Sequence, residues 1–348
     1  MREHQRPALE IGRNMFRREF LQAAFLSTAV LLIGSIDGAA QSPPPENPQT
    51  GGDFAPFPQG KIPLNAIIVR GAEPSASDQS TPPPEDGAVS KSVYRNRYFA
   101  MTYPLPANWM EAYQGPPPSD SGKYVLAQWI PSPTFKGPAK GTVLISAQDM
   151  FFSPMPARTA LELIGFSKDH LPDYYEVEHA PSELTISGRI FARFDYKSAV
   201  AGLHWHVLAT QFRCHAIEFV FTSQDTRLLD ALIADMSRMQ LSSEAVPACI
   251  ANYAVPSNIV YKVDPILTDR RFNAIPVRII IDKSGRVRHV HVISAFADQA
   301  TKITDALLQW TFKPYTKDGQ PVELETGIMF RSGRNGTETT RTAASTND

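Results

Sequence analysis

Cysteine and net charge are both scarce in this sequence. Its 348 residues contain 2 cysteines, Cys214 and Cys249, and no Cys-x-x-Cys spacing, which excludes the redox and metal motifs built on that pair. The 34 Lys and Arg nearly balance the 35 Asp and Glu, leaving a formal charge of −1. No bulk field therefore draws the chain to nucleic acid or to an acidic membrane surface. Long apolar runs are missing beyond the amino-terminal region. A composition of 43% hydrophobic and 20% charged residues excludes a polytopic membrane bundle. Proline, by contrast, is in excess: 30 prolines against 20 glycines reverses the usual order. The length corresponds to about two or three domains of ordinary size.

The amino-terminal region reads as an address. Phe16-Arg17-Arg18-Glu19-Phe20-Leu21-Gln22 opens an apolar run over residues 20–36, and Gly38-Ala39-Ala40 supplies small residues before Gln41. A basic start, a short apolar stretch and small residues at the end make an export signal. Arg17 and Arg18 followed by Glu19, Phe20 and Leu21 resemble the twin-arginine signal, with Phe16 standing where Ser or Thr is usual. The resemblance implies bacterial export and a cut near Ala40. A retained inner-membrane anchor is the alternative, because the run is about 17 residues, at the lower limit for a spanning helix. On either reading the remainder lies outside the cytoplasm, and only the amino-terminal segment, if uncleaved, touches a membrane.

Residues 42–86 are a proline-rich spacer within an expected tether of 41–92, carrying Pro43-Pro44-Pro45 and Pro82-Pro83-Pro84. Proline fixes φ and lacks an N–H, so the tract favours extended chain over a packed core. One apolar interruption, residues 64–69, has the composition of a short docking strand.

Over residues 93–245 the patterns change. Strands are expected at 98–103, 124–130, 142–152, 184–196, 203–212 and 216–222, and helices at 157–171 and 226–241. This order predicts an α+β fold, an antiparallel-sheet sandwich with helices. Tyr94, Asn96, Tyr98 and Phe99, then Tyr103-Pro104-Leu105-Pro106 and Trp109, resemble the PsbP-like sandwich of small exported proteins. That resemblance implies a binding or assembly module and brings no catalytic residues.

Chemistry-bearing residues in this region fall short of a site. His204 and His206 share one strand face, with Asp195 and His215 as the nearest further ligands in sequence. A solvated strand face is the simpler account. Ser167-Lys168-Asp169-His170 holds the residue types of hydrolysis, yet adjacent helix positions point in different directions. Cys214 and Cys249, in an exported chain, either close one disulfide or remain separate thiols; bonding them would close a loop of about 35 residues.

Beyond an expected linker at 246–274, the carboxyl-terminal part is the most informative. A strand at 277–281, the turn Asp282-Lys283-Ser284-Gly285, a second strand at 286–293, a helix at 301–312 and a third strand at 322–331 give the order β-β-α-β. The hydrophobic strand into Asp282, Gly285 and Val287 resembles the TonB carboxyl-terminal domain over about 275–331. So do Trp310, Phe312 and Pro314, then Gly319, Pro321 and Phe330. The resemblance implies a periplasmic domain that pairs by strand addition with a segment of an outer-membrane transporter. Trp310, Phe312 and Tyr315 read most simply as core anchors, and His289 with His291 as a second solvated pair. Residues 332–348 are expected to be disordered.

The fold expectation is thus α+β: a PsbP-like antiparallel-sheet sandwich followed by a small TonB-like domain. The functional expectation is an exported, periplasmic, non-enzymatic protein that docks a cell-envelope partner such as an outer-membrane receptor, with no cofactor, metal or catalytic residue. A TonB-type energy transducer with a retained anchor is the alternative. The cleavable signal and the globular domain between spacer and TonB-like module count against it.

Overall fold

The computed structural model describes residues 73–77, 84–85, 87–113, 122–132, 141–153, 159–241, 247–267, 274–333 and 336–340. The export-signal residues Arg17, Arg18, Phe20, Leu21 and Ala40, and the apolar stretch 64–69, lie outside them.

In chain order the first strands are β1 (Glu73–Ser77), β2 (Gly87–Ser90), β3 (Val93–Asn96), β4 (Met101–Pro104), β5 (Trp109–Tyr113), β6 (Lys123–Pro131) and β7 (Gly141–Asp149). Helix α1 (Ala160–Asp169) precedes β8 (Glu176–Ile186), β9 (Arg189–Ser198), β10 (Leu203–Phe212) and β11 (His215–Ser223). Helix α2 (Thr226–Asp235) leads to β12 (Gln240–Leu241), β13 (Ala248–Cys249) and β14 (Ile259–Tyr261). Then come β15 (Ala274–Ile281), β16 (Val287–Ala295), α3 (Ala297–Leu307), β17 (Thr311–Phe312), β18 (Thr316–Lys317) and β19 (Gln320–Pro321). The chain closes on β20 (Leu324–Gly333) and β21 (Gly336–Thr340). The architecture is sheet-rich and mostly antiparallel, with few helices, as the α+β expectation requires.

The central layers form around a seven-stranded sheet in the order β5-β6-β7-β11-β10-β9-β8. A four-stranded sheet, β12-β4-β3-β2, and α2 cover one face. Between them Tyr94, Tyr103, Trp129, Phe219, Phe221 and Leu229 make a largely aromatic core. Tyr103 stacks on Trp129 at 5.5 Å between ring centroids. Helix α1 covers part of the other face, Leu163 meeting Ala216. Side-chain caps start both helices: Thr159 Oγ1 accepts from the Glu162 N–H at 3.1 Å, and Asp225 Oδ1 from the Arg227 N–H at 2.9 Å.

Several boundaries in this region differ from expectation, three of them for clear local reasons. Residues 184–196 are two strands, because Ser187 and Gly188 both take positive φ (49° and 78°) and make a two-residue hairpin turn. The expected strand 98–103 begins only at Met101, after a turn through Ala100. Helix α2 stops at Asp235, since Met239 is extended (ψ 144°) and Gln240 pairs with Thr102.

The carboxyl-terminal sheet has the order β1-β16-β15-β20-β13, with β21 also on β20. Helix α3 lies on one face, where Ile279, Val290, Ile303, Leu307, Trp310 and Phe330 are buried together. The helix ends five residues before the expected 312, because Phe312 pairs with Ile259 and donates its N–H to Gly285 O at 2.7 Å. Trp310 is still a core anchor, and its Nε1 donates to Val263 O at 2.7 Å. Residues 246–274 are not a bare linker. They supply β13, β14 and Tyr253, whose hydroxyl donates to Lys313 O at 2.7 Å. Residues 336–340, expected without structure, pair antiparallel with β20.

Candidate functional site

The site grows from strand alternation. Along β15, Ile275, Val277, Ile279 and Ile281 point toward α3, so Arg278 must point to the opposite face. That face packs on the central layers, and Arg278 there is 1% exposed. Its Nη1 donates to Asp149 Oδ2 at the end of β7. Its Nε and Nη2 reach Glu325 Oε1 of β20 at 3.1 and 2.9 Å, and Nη2 also donates to Arg213 O at 3.1 Å. Tyr98 donates its hydroxyl to the same Glu325 Oε1 at 2.9 Å, and the Phe151 N–H binds Asp149 Oδ1 at 2.7 Å. The Arg213 guanidinium lies 4.1 Å above the Tyr98 ring, and that of Arg278 4.7 Å above Phe151.

Burial decides the protonation of this cluster. Burial alone would pull the Arg278 pKa down, but Asp149, Glu325 and Tyr98 reverse the effect and hold it well above its ordinary value. Burial pushes Asp149 up, with the Arg278 charge as the chief opposing influence. His215 is driven well below the usual histidine range by burial and then by the Arg278 charge. Its Nδ1 donates to Arg213 O at 2.6 Å, and its Nε2 stands 3.9 Å from Asp149 Oδ2. His291 is pushed down to about 3 by burial and Arg278, and the hydroxyl of fully buried Tyr124 is pushed well above the usual range by burial. Asp149 and Glu325 are 0% and 1% exposed, so the ensemble is a buried ion cluster.

A covalent tie lies beside it. Cys214, next to Arg213 in the β10–β11 turn, is bonded to Cys249 of β13, with 5.5 Å between Cα atoms. Cys249 sits opposite Glu325 in the parallel β13–β20 pairing. The disulfide and the ion cluster thus join the central layers to the carboxyl-terminal sheet at neighbouring points, giving that sheet a rigid backing.

The motif residues singled out over 275–331 take defined roles on this sheet. Asp282 Oδ1 accepts from Ser284 N–H at 2.8 Å, Ser284 Oγ at 2.7 Å and Arg286 N–H at 3.0 Å. Gly285 has φ +86°, and a Cβ there would lie 2.0 Å from Phe312 O, so only glycine fits. Asp318 and Gly319, at φ 52° and 75°, turn β18 into β19, where Pro321 is exposed. Val287 and Phe330 are buried, and Pro314 is exposed.

Both outer sides of the sheet carry further strands. β16 carries β15 on one side and β1 on the other, with Glu73 opposite Ala295, Pro74 opposite Ser294, Ala76 opposite Val292 and Ser77 opposite His291. β20 is covered by β13 at its start and β21 at its end.

The histidine pairs do not lie on solvated faces. His206 and His291 are buried and His289 is half-buried, because the faces that carry them pack against a second layer. His204 Nδ1 meets Glu178 Oε2 at 2.7 Å, and His206 Nε2 lies 3.9 Å from Asp195 Oδ2, itself held by Arg193 at 2.7 Å. Among the described residues no group of three or more His, Cys, Asp or Glu is placed to hold a metal ion. Ser167 donates to Leu163 O and Lys168 pairs with Asp169, so the hydrolytic residue types do not converge. An open groove of about 990 Å³ lies by the β8–β9 turn, with Leu161, Ile186, Arg189, Ile190 and Gln211 in its lining. Among the described residues no helix is long and apolar enough to cross a membrane.

No protein-family model and no curated protein matches this sequence. Among solved structures, the chain is similar to cyanobacterial PsbP (CyanoP) from Synechocystis sp. PCC 6803, at 14% identity and TM-score 0.32, over 45% of this chain and 96% of that one. It is also similar to LpqN of Mycobacterium tuberculosis, described as involved in cell envelope biogenesis, at 11% identity and TM-score 0.25, over 41% of this chain and 83% of that one.

Proposed function

We propose that this chain is an exported, non-enzymatic interaction protein of the bacterial cell envelope, whose carboxyl-terminal sheet takes up an extended segment of an envelope partner by strand addition. One observation carries the reading: β16 already accepts a strand, β1, from far away in sequence, through backbone pairing. Three further features support it. The turns at Asp282–Gly285 and Asp318–Gly319 form at the two positions on which the sequence resemblance to the TonB carboxyl-terminal domain rests. The sheet is backed by Arg278 and the Cys214–Cys249 bond, which suits a surface that must keep its edge straight while a partner pairs. The titratable cluster is buried beyond reach of a substrate.

Export rests on Arg17, Arg18 and the run that follows. Amino-terminal sequencing of the mature protein separates the two envelope readings. A start at Gln41 fits a released periplasmic protein, whereas an intact, membrane-bound terminus fits TonB-type transduction. Docking itself is tested by cross-linking the mature protein in cell envelopes and mapping the linked residues. Links from β16 or β20 to one short extended segment of an envelope protein support the reading; links confined to the central layers overturn it.

A further inference from the structure

Strand β1 is a weak occupant of a strong edge. Its sequence, Glu73-Pro74-Ser75-Ala76-Ser77, contains no β-branched or aromatic residue, and Pro74 has no N–H to give to a ladder. The strand it covers, Val287–Ala295, is rich in valine and isoleucine and is fixed on its other side by β15. β1 forms the outer limit of its sheet, with α3 as its chief further neighbour among the described elements, and the spacer sequence around it is proline-rich. Loop closure over the long interval between β1 and β16 adds an entropic cost to this pairing. Edge strands are otherwise protected by charge, bulges or permanent cover. Here the cover is a segment whose intrinsic preference argues against strand.

From this we infer that the β16 edge is a strand-acceptor site held shut by the chain's own Glu73–Ser77, and that an extended, β-branched segment of an envelope protein enters by displacing this latch. The inference rests on the docking reading above and specifies both its edge and its control. The occupant's chemistry follows from the pairing. Backbone groups facing Val292–Ala295 supply affinity to any extended chain, and β-branched residues give the incoming strand the preference for extended structure that β1 lacks. Release leaves the rest of the sheet standing, because β15 and β20 pair with each other, α3 packs chiefly on β16, and the disulfide and the Arg278 cluster involve no residue of β1.

The test uses the full mature chain and two variants acting in opposite directions. S75P/A76P makes residues 74–76 a three-proline run that removes donors of both alternating sets, and P74V strengthens the strand. Amide hydrogen exchange is read at residues 291–295, and binding is read with a synthetic peptide of residues 71–79. In S75P/A76P we expect exchange at 291–295 to rise about tenfold, with the peptide restoring protection in trans. The parent should bind that peptide at least about tenfold more weakly, because its own latch competes. P74V should slow the same amides and weaken peptide binding further. Unchanged exchange in P74V, or equal peptide binding by the parent and S75P/A76P, overturns the latch. Should S75P/A76P fail to fold, P74V and the parent still decide. None of these measurements involves an envelope partner, so the latch can fail while docking stands. A latch that opens while envelope cross-linking finds no segment sinks the docking reading alone.

Discussion

Replacing Arg278 with methionine is the most revealing single perturbation of the fold. The guanidinium is 1% exposed and satisfies Asp149, Glu325 and Arg213 O together. Methionine fills similar volume but leaves two carboxylates buried without a counter-charge. Asp149 keeps the Phe151 N–H and Glu325 keeps the Tyr98 hydroxyl, so the loss is partial. Breaking a buried pair costs about 3–5 kcal/mol, and with two anions stranded the upper end applies. That is a large part of the roughly 5–15 kcal/mol typical of a folded domain.

The pH dependence gives a sharper signature. In R278M Asp149 keeps the upward push of burial and loses the Arg278 charge that opposes it, so the folded state binds more protons and its stability falls as pH rises. In parent and variant alike the buried histidines act in the opposite sense, chiefly through burial, so they largely cancel from the comparison. His291 falls from 6.5 to about 3 in the fold, so its contribution is full above about pH 6.5 and shrinks as pH drops toward 3. The two stability curves should converge as pH falls from about 7.5 to about 5, because the stranded carboxylate of the variant takes up a proton. Urea unfolding across this range supplies the midpoints. The triple variant R278M/D149N/E325Q should recover to within about 1–2 kcal/mol of the parent at neutral pH, since a neutralised cluster strands no charge. A loss under about 1 kcal/mol in R278M, or a pH-independent gap, would refute the charge-clamp reasoning.

Other expectations follow from the same contacts. Replacing Cys214 and Cys249 by serine should lower stability by about 3–4 kcal/mol through the reopened loop, and the parent should show no titratable thiol in denaturant without reductant. Gly285→Ala should cost more than about 2 kcal/mol, because strain at positive φ adds to collision with Phe312 O. Gly188→Ala, with nothing within 4 Å of the added Cβ, should cost only about 1 kcal/mol by the same unfolding assay. His291→Gln should flatten the acid limb, removing about 2 kcal/mol of the change between pH 6.5 and 5 that this histidine contributes.

Local chemistry made some of this legible in the sequence. Asp282-x-x-Gly285 and Asp318-Gly319 mark turns because side-chain acceptors and positive φ act within a few residues. Strand 203–212 is legible from its aromatic and apolar content, although it is buried on both faces over much of its length. Ser187-Gly188 carries the same kind of signal, a glycine in a positive-φ turn, inside a run whose apolar content reads as one long strand. The junction was not legible, since Arg278 meets its anions across 129 and 47 residues of chain. An arginine in a valine-isoleucine strand reads as solvent-facing until a second layer is known to cover that face. His206 and His291 were misjudged for the same reason. Pairing of β1 with β16 leaves no pattern in a Pro-Ser-Ala-Ser segment, whose extended state depends entirely on its neighbour.

The most direct measurement of the account is site-specific photo-cross-linking from β16. Arg288 suits the photoreactive residue, because its side chain is 59% exposed and it lies on the part of the strand that β1 leaves uncovered. Its surface bridge to Glu323 contributes little to stability. In intact cell envelopes, docking by strand addition predicts links to one contiguous, extended segment of an envelope protein, stronger in S75P/A76P than in the parent. Scattered links, or links whose yield ignores the state of β1, would contradict it.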